Sequence, residues 1–177
     1  MLKQIILIGY RATGKTTVGK RLAARLGLSF FDMDHELEKR HGQSIATLVA
    51  ARGWPYFRTL EKEMLTKLIG LNDRVTSTGG GAILHQEIWP KLKESSLVVW
   101  LTADRQTICR RLKDDAQTAS QRPALTDSDT YAEIDAVLTE REPLYRAGCH
   151  FSVDTGVLGI DEIVAMVAER ARALATA

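Results

Sequence analysis

An α/β architecture, with a parallel sheet packed between helices on both faces, is the fold class this sequence predicts. Three observations predict it. Short apolar runs rich in branched residues alternate with segments of helical periodicity along the whole chain. The first run leads through Gly9-Tyr10-Arg11-Ala12-Thr13-Gly14-Lys15-Thr16 into the first helical segment, in the order strand, loop, helix. The 177 residues are 45% hydrophobic and 26% charged, without repeat, low-complexity tract or linker, which suits one domain with a sizeable core.

Taken in order, Gln4 to Ile8 is apolar and branched, as a buried parallel strand should be. Thr16 to Leu26 sets Val18, Leu22, Ala23 and Leu26 on one helical face, with Gly27 as the stop. Leu28 to Phe31 reads as a second strand ending in Asp32, and Asp34 to Arg40 as a polar helix. Ile45 to Ala51 and Tyr56 to Ile69 are expected as two helices broken around Gly53-Trp54-Pro55. Arg74 to Thr78 is strand-like and runs into Gly79-Gly80-Gly81. A helix over Gln86 to Leu92, an apolar strand over Leu97 to Leu101 and a helix over Asp104 to Lys113 follow. Asp114 to Asp129 is polar and contains Pro123, the mark of a loop. Tyr131 to Tyr145 is helical, with Pro143 expected to kink or end it. Phe151 to Val153 is a last short strand, and Ile160 to Leu174 a closing amphipathic helix.

Composition narrows the function. Lys and Arg number 24 against 22 Asp and Glu, a net charge of +2 that points to neither nucleic acid nor membrane. Cys109 and Cys149 lack metal-type spacing and read as buried, reduced thiols of a reducing compartment, so the expected location is the cytoplasm. The apolar N-terminal run is too short for a signal or membrane helix.

The Gly9–Thr16 segment fits the phosphate-binding pattern G-x-x-x-x-G-K-[ST]. Its glycines let the backbone curl so that the N–H groups of Ala12, Thr13, Gly14 and the following residues, Thr17 included, point at phosphate oxygens. Lys15 can reach the outer phosphates, and the Thr16 hydroxyl can ligate Mg²⁺. The helix that begins there places its positive dipole end under them. The co-substrate expected is a nucleoside triphosphate.

Elsewhere the residues leave two readings open. Asp32 and Asp34 follow a strand at the edge where open α/β sheets bind ligands, yet they also suit the N-terminus of a helix. Arg58 and Glu61 have the spacing of a surface ion pair worth a few tenths of a kcal/mol, about 0.2–0.5. Gly79, Gly80 and Gly81 are either a turn or a place where a ligand approaches the backbone. Arg11 either acts on the phosphates or is solvated. The four histidines form no metal or catalytic cluster, and Trp54, Trp89 and Trp100 read as packing residues.

The ordered set Asp32-Met33-Asp34, Phe57-Arg58-x-x-Glu61, Thr78-Gly79-Gly80-Gly81, Arg122-Pro123 and Arg141-Glu142-Pro143-Leu144-Tyr145 behind a P-loop resembles the shikimate kinase family from about Ile5 to Asp154. The resemblance implies a three-layer α/β/α sandwich with a five-stranded parallel sheet, of the nucleoside monophosphate kinase type. It implies a substrate-binding helical region over about 33–61 and a lid over about 112–128. The activity implied is transfer of a phosphoryl group from ATP to the 3-hydroxyl of shikimate, in aromatic amino acid biosynthesis, by a monomer that needs Mg²⁺. Asp32 then serves the metal with Thr16. Asp34 holds the substrate hydroxyls and is placed to accept a proton from the attacking one. Arg58 and Arg141 grip the carboxylate, with Glu61 orienting Arg58. The three glycines offer backbone contact, Gly79 and Gly81 foremost. Arg122 closes over the phosphates, beside Lys15 and Arg11, and Arg110 stacks on adenine.

Two departures from the family pattern stand out: Ala12 occupies a position where many members have Gly, and Thr76-Ser77-Thr78 supplies no aspartate at the end of its strand. The alternatives are a related small-metabolite kinase, such as one for gluconate, and a nucleotide-dependent regulatory module. A GTPase would carry the guanine-reading N-K-x-D, which is absent from the sequence.

Overall fold

The computed structural model describes residues 4–114 and 130–176. The expected lid and Arg122 therefore lie outside the described residues, apart from positions 112–114, which close a helix. The strands are β1 (Gln4–Ile8), β2 (Ser29–Asp32), β3 (Arg74–Ser77), β4 (Ser96–Thr102) and β5 (Phe151–Asp154). The helices are α1 (Lys15–Leu26), α2 (Met33–His41), α3 (Ile45–Thr66), α4 (Trp89–Ser95), α5 (Arg105–Asp114), α6 (Thr130–Gly148) and α7 (Ile160–Thr176). A single 3₁₀ turn, Ala82–Leu84, follows the three glycines.

The five strands form one sheet in the order β2-β3-β1-β4-β5, and every pairing is parallel. Ile6 of β1 lies opposite Thr76 of β3 and Val98 of β4, which fixes the register at the centre. Both faces of β1 are covered, so all five of its residues are buried. Ile6 and Ile8 pack with Val98, Met64, Leu65 and Trp89 on one side. Ile5 and Leu7 pack with Val75, Val99, Val18, Leu22 and Val167 on the other. Each such side chain contributes about 1.5–3 kcal/mol by leaving water. The chain changes direction across the sheet at β1. The crevice at the carboxyl ends of the flanking strands is where open sheets of this kind bind ligands.

Three local expectations are corrected. The helix expected over Gln86 to Leu92 starts instead at Trp89, with Pro90 in its first turn, where a missing N–H costs nothing. Pro143 neither ends nor breaks α6, which continues to Gly148. Ile134, Val137, Leu138 and Tyr145 bury that helix on both sides of the proline, and packing outweighs the lost hydrogen bond. Cys109 and Cys149 are free, as expected, but only partly buried. The break around Gly53 holds: its φ of 80° is left-handed and interrupts α3 just before Pro55. No described helix is long and apolar enough to cross a membrane.

Candidate active site

The loop between β1 and α1 is shaped by its backbone. Ala12 has φ 59° and Gly14 φ 88°, left-handed positions that turn successive N–H groups toward one side. For Ala12 this conformation costs roughly 1–2 kcal/mol, strain that a glycine would not feel. The Thr13 hydroxyl donates to Tyr10 O at 2.8 Å and braces the loop. Lys15 is buried, and its ammonium arches back to donate to Gly9 O at 2.8 Å and Tyr10 O at 2.7 Å.

Asp32 makes two contacts, one with each carboxylate oxygen. Its Oδ1 accepts from His35 N at 3.3 Å and caps α2. Its Oδ2 accepts from the Thr16 hydroxyl at 2.8 Å. Arg11, Ala12, Gly14, Lys15, Thr16, Thr17, Asp32 and Asp34 all line the cavity over this loop.

Arg110 is not among them. It is exposed and lines a separate depression with Gln106, Lys113 and Tyr131. One residue further on is about 100° around the helix, and it is Arg111 that faces the phosphate cavity. Its guanidinium donates to Ala12 O at 3.1 Å, Thr155 Oγ1 at 2.9 Å and Thr155 O at 2.6 Å. Arg11 is not solvated either. It is held 2.6 Å from Glu133 Oε1 of α6, a side chain only 5% exposed.

A second, narrower cleft adjoins the first, with Arg11 and Asp34 lining both. Asp34, Arg58, Glu61, Gly79, Gly80, Gly81 and Arg141 come together there from four separate segments. Arg58 Nη1 lies 2.6 Å from Glu61 Oε2, but this is no surface pair, because Glu61 is 1% exposed. The same oxygen also meets His85 Nε2 at 3.0 Å. Glu61 Oε1 and Arg141 Nε are buried without a hydrogen-bond partner among the described residues. Arg141 Nη1 donates to Gly80 O at 3.3 Å, and the Tyr145 hydroxyl donates to the same carbonyl. Burial pushes the Tyr145 phenol well above its ordinary range, which keeps it a donor.

The glycines matter here through what they lack. A Cβ on Gly79 would sit 2.8 Å from Asp34 Oδ1 and 2.9 Å from Glu61 Oε1. On Gly81 it would collide with the Arg58 guanidinium. The absent side chains thus let charged groups close on the backbone.

The sequence reading missed part of the wall. Trp54, Phe57 and Ile45 line the same cleft. Trp54 is therefore not a plain packing residue. Its ring lies edge-on to Phe57 and 5.1 Å from the Arg58 guanidinium carbon, a cation–π contact that steadies the arginine. The signal was its place three residues before Phe57 and four before Arg58. Trp89 and Trp100 are buried, as expected.

Among the described residues no cluster of three or more His, Cys, Asp or Glu could cage a metal ion. The hydroxyl and carboxylate of Thr16 and Asp32 form an all-oxygen donor pair beside the phosphate loop. This suits Mg²⁺, which takes few protein ligands and completes its shell with water and phosphate.

The family model of shikimate kinase matches residues 11–172. A shikimate kinase of Pelotomaculum thermopropionicum is 43% identical over 163 residues, 92% of each chain. One of Oleidesulfovibrio alaskensis is 44% identical over 153 residues, 86% of this chain and 88% of the relative. The structure of an Acinetobacter baumannii shikimate kinase in complex with shikimate superposes with a TM-score of 0.87 at 32% identity, covering 96% of this chain and 92% of that one.

Proposed function

The chain belongs to the shikimate kinase family, and on that premise we propose that it transfers the γ-phosphoryl group of ATP to the 3-hydroxyl of shikimate. The observation that carries this reading is the meeting of two clefts at Asp34. One cleft is floored by the phosphate loop, and the other gathers two arginines, a buried carboxylate and three glycines.

ATP lies with its phosphates on the N–H groups of Ala12 to Thr17, and Lys15 swings from its carbonyl partners onto them. Thr16 and Asp32 would hold Mg²⁺, which when bound offsets phosphate charge. Shikimate lies in the second cleft with its carboxylate on the guanidinium forks of Arg58 and Arg141. Arg binds a carboxylate through paired, charge-assisted hydrogen bonds, which fixes the ring as well as the charge. Glu61 aims Arg58. Asp34 then accepts a hydrogen bond from the 3-hydroxyl and is placed to take its proton as the oxygen attacks the γ-phosphorus in line. Arg11, at the seam of the two clefts, supplies positive charge toward the transferring group, and Arg111, which lines the phosphate cavity, stands beside the nucleotide. Arg122 belongs to the same reading as the cation of a lid over about 112–128.

We read the protein as a monomeric cytoplasmic enzyme whose partners are ATP and shikimate. Both clefts are lined by residues of one chain, which supports the monomeric part of this reading. The test is ADP release with shikimate, with gluconate and with no acceptor. Shikimate-dependent release is expected. Release that gluconate supports better, or that no acceptor changes, overturns the assignment.

A further inference from the structure

His85 plays no part in the chemistry above, yet it is placed where that chemistry depends on it. It follows the 3₁₀ turn behind the three glycines and is 8% exposed. Its backbone is fixed at both ends: His85 N donates to Ala82 O at 3.2 Å, and His85 O accepts from Ile88 N at 3.0 Å. From this anchored position its Nε2 stands 3.0 Å from Glu61 Oε2. An ionised carboxylate only accepts, so the proton of this bond is on Nε2.

We infer that His85 is a positioning residue for the acceptor's carboxylate, acting through Glu61 on Arg58; the inference rests on the functional reading given above. Three observations support it. Glu61 is 1% exposed, and a buried carboxylate needs donors to hold its charge and its orientation. Its other donor, Arg58, is the one whose charge the substrate shares, so Arg58 cannot be the only group that aims Glu61. His85 supplies a donor that the substrate does not compete for, and it does so from the segment that follows the three glycines rather than from α3. The bond ties the glycine turn to α3, joining the two segments between which the acceptor must fit.

His85→Asn and His85→Gln separate this role from general packing. Both are neutral amides. The Gln nitrogen extends about as far as Nε2, whereas the Asn nitrogen stops near the position of Nδ1. His85→Asn should raise the KM for shikimate about tenfold while kcat and the KM for ATP stay within about twofold, and His85→Gln should restore the KM to within about threefold of the parent. Losing the aim of Arg58 should also shrink the disadvantage of shikimate methyl ester in His85→Asn but not in His85→Gln. An unchanged shikimate KM in His85→Asn overturns the inference. So does an equal loss in both variants, or a loss spread over kcat and the ATP KM, since those mark packing. If the parent enzyme shows no shikimate-dependent ADP release, the functional reading beneath the inference fails instead.

Discussion

The phosphate cleft and the acceptor cleft share Asp34 and Arg11, but they are made in different ways. The phosphate cleft is largely one stretch of backbone, Gly9 to Thr17, held in an unusual curve. Gly14 is needed there for its φ of 88°, and a Cβ on it would meet nothing nearer than 4.0 Å. The acceptor cleft is made of side chains from distant segments converging on a backbone in ordinary conformation. Gly81 has φ −95° and is needed for clearance, since a methyl group would displace Arg58. A binding site for a phosphate chain that many enzymes share can be local and stereotyped. A site for one particular acid is assembled by the fold.

The largest expected effects break the halves separately. Lys15→Ala should remove about 100- to 1,000-fold in kcat through loss of charge stabilisation at the phosphates. Asp34→Asn should cost about 100- to 10,000-fold in kcat, because the amide cannot take the proton, yet nucleotide should still bind. Equilibrium titration with ATP beside steady-state kinetics checks both. Near-normal kcat in Asp34→Asn would contradict its role.

Gly81→Ala sharpens the contrast at a smaller scale. Overpacking of this kind costs about 1–3 kcal/mol. Here it should appear as an acceptor KM raised about 5- to 150-fold, with the ATP KM unchanged. A rise in both KM values would mean that the two clefts are not independently built.

The smallest effect lies outside both halves. Asp104 accepts from the Thr107 N–H at 2.8 Å and the Thr107 hydroxyl at 2.7 Å, and these bonds hold its carboxyl below the ordinary range. A carboxyl lowered by folding stabilises the fold above its unfolded pKa of about 3.9, and that contribution is lost as pH falls through the folded value. Thermal melts between pH 2.5 and 7 should show a shallower acid-side decline for Asp104→Asn, with both KM values unchanged. An unaltered decline would remove this cap from the acid-sensitive groups.

The same contrast explains what could be read from the chain. β1, the phosphate loop and α1 were legible because sequence neighbours make them. The central strands β1 and β4 were also visible as continuous apolar runs, whereas β2, β3 and β5 are short and mixed in polarity and were legible from their place in the alternation with helices. Arg58 and Glu61 were legible as a site only through the family resemblance, because an i,i+3 pair has the same spacing at a surface as in a cleft. Neither the burial of Glu61 nor its bond to His85, 24 residues away, leaves a local mark. Arg110 was named through the family resemblance, and the phase of α5 that turns Arg111 rather than Arg110 toward the phosphate cavity leaves no mark in the residue types. The start of α4 follows from Pro90 in its first turn, a local signal that was passed over, whereas the continuation of α6 past Pro143 was decided by packing.

The central claim is that Arg58 and Arg141 converge to bind the acceptor's carboxylate. The most direct measurement compares kcat/KM for shikimate and its methyl ester in the parent enzyme and in Arg58→Ala, as a double cycle. Losing one partner of a buried, hydrogen-bonded charge pair costs about 2–5 kcal/mol, roughly 30- to several-thousand-fold in kcat/KM, and the parent should penalise the ester on that scale. Arg58→Ala should already have lost much of the discrimination, so its penalty should be clearly smaller. An ester penalised equally by both enzymes would show that Arg58 does not hold the carboxylate, and its pairing with Glu61 would then be a matter of structure alone.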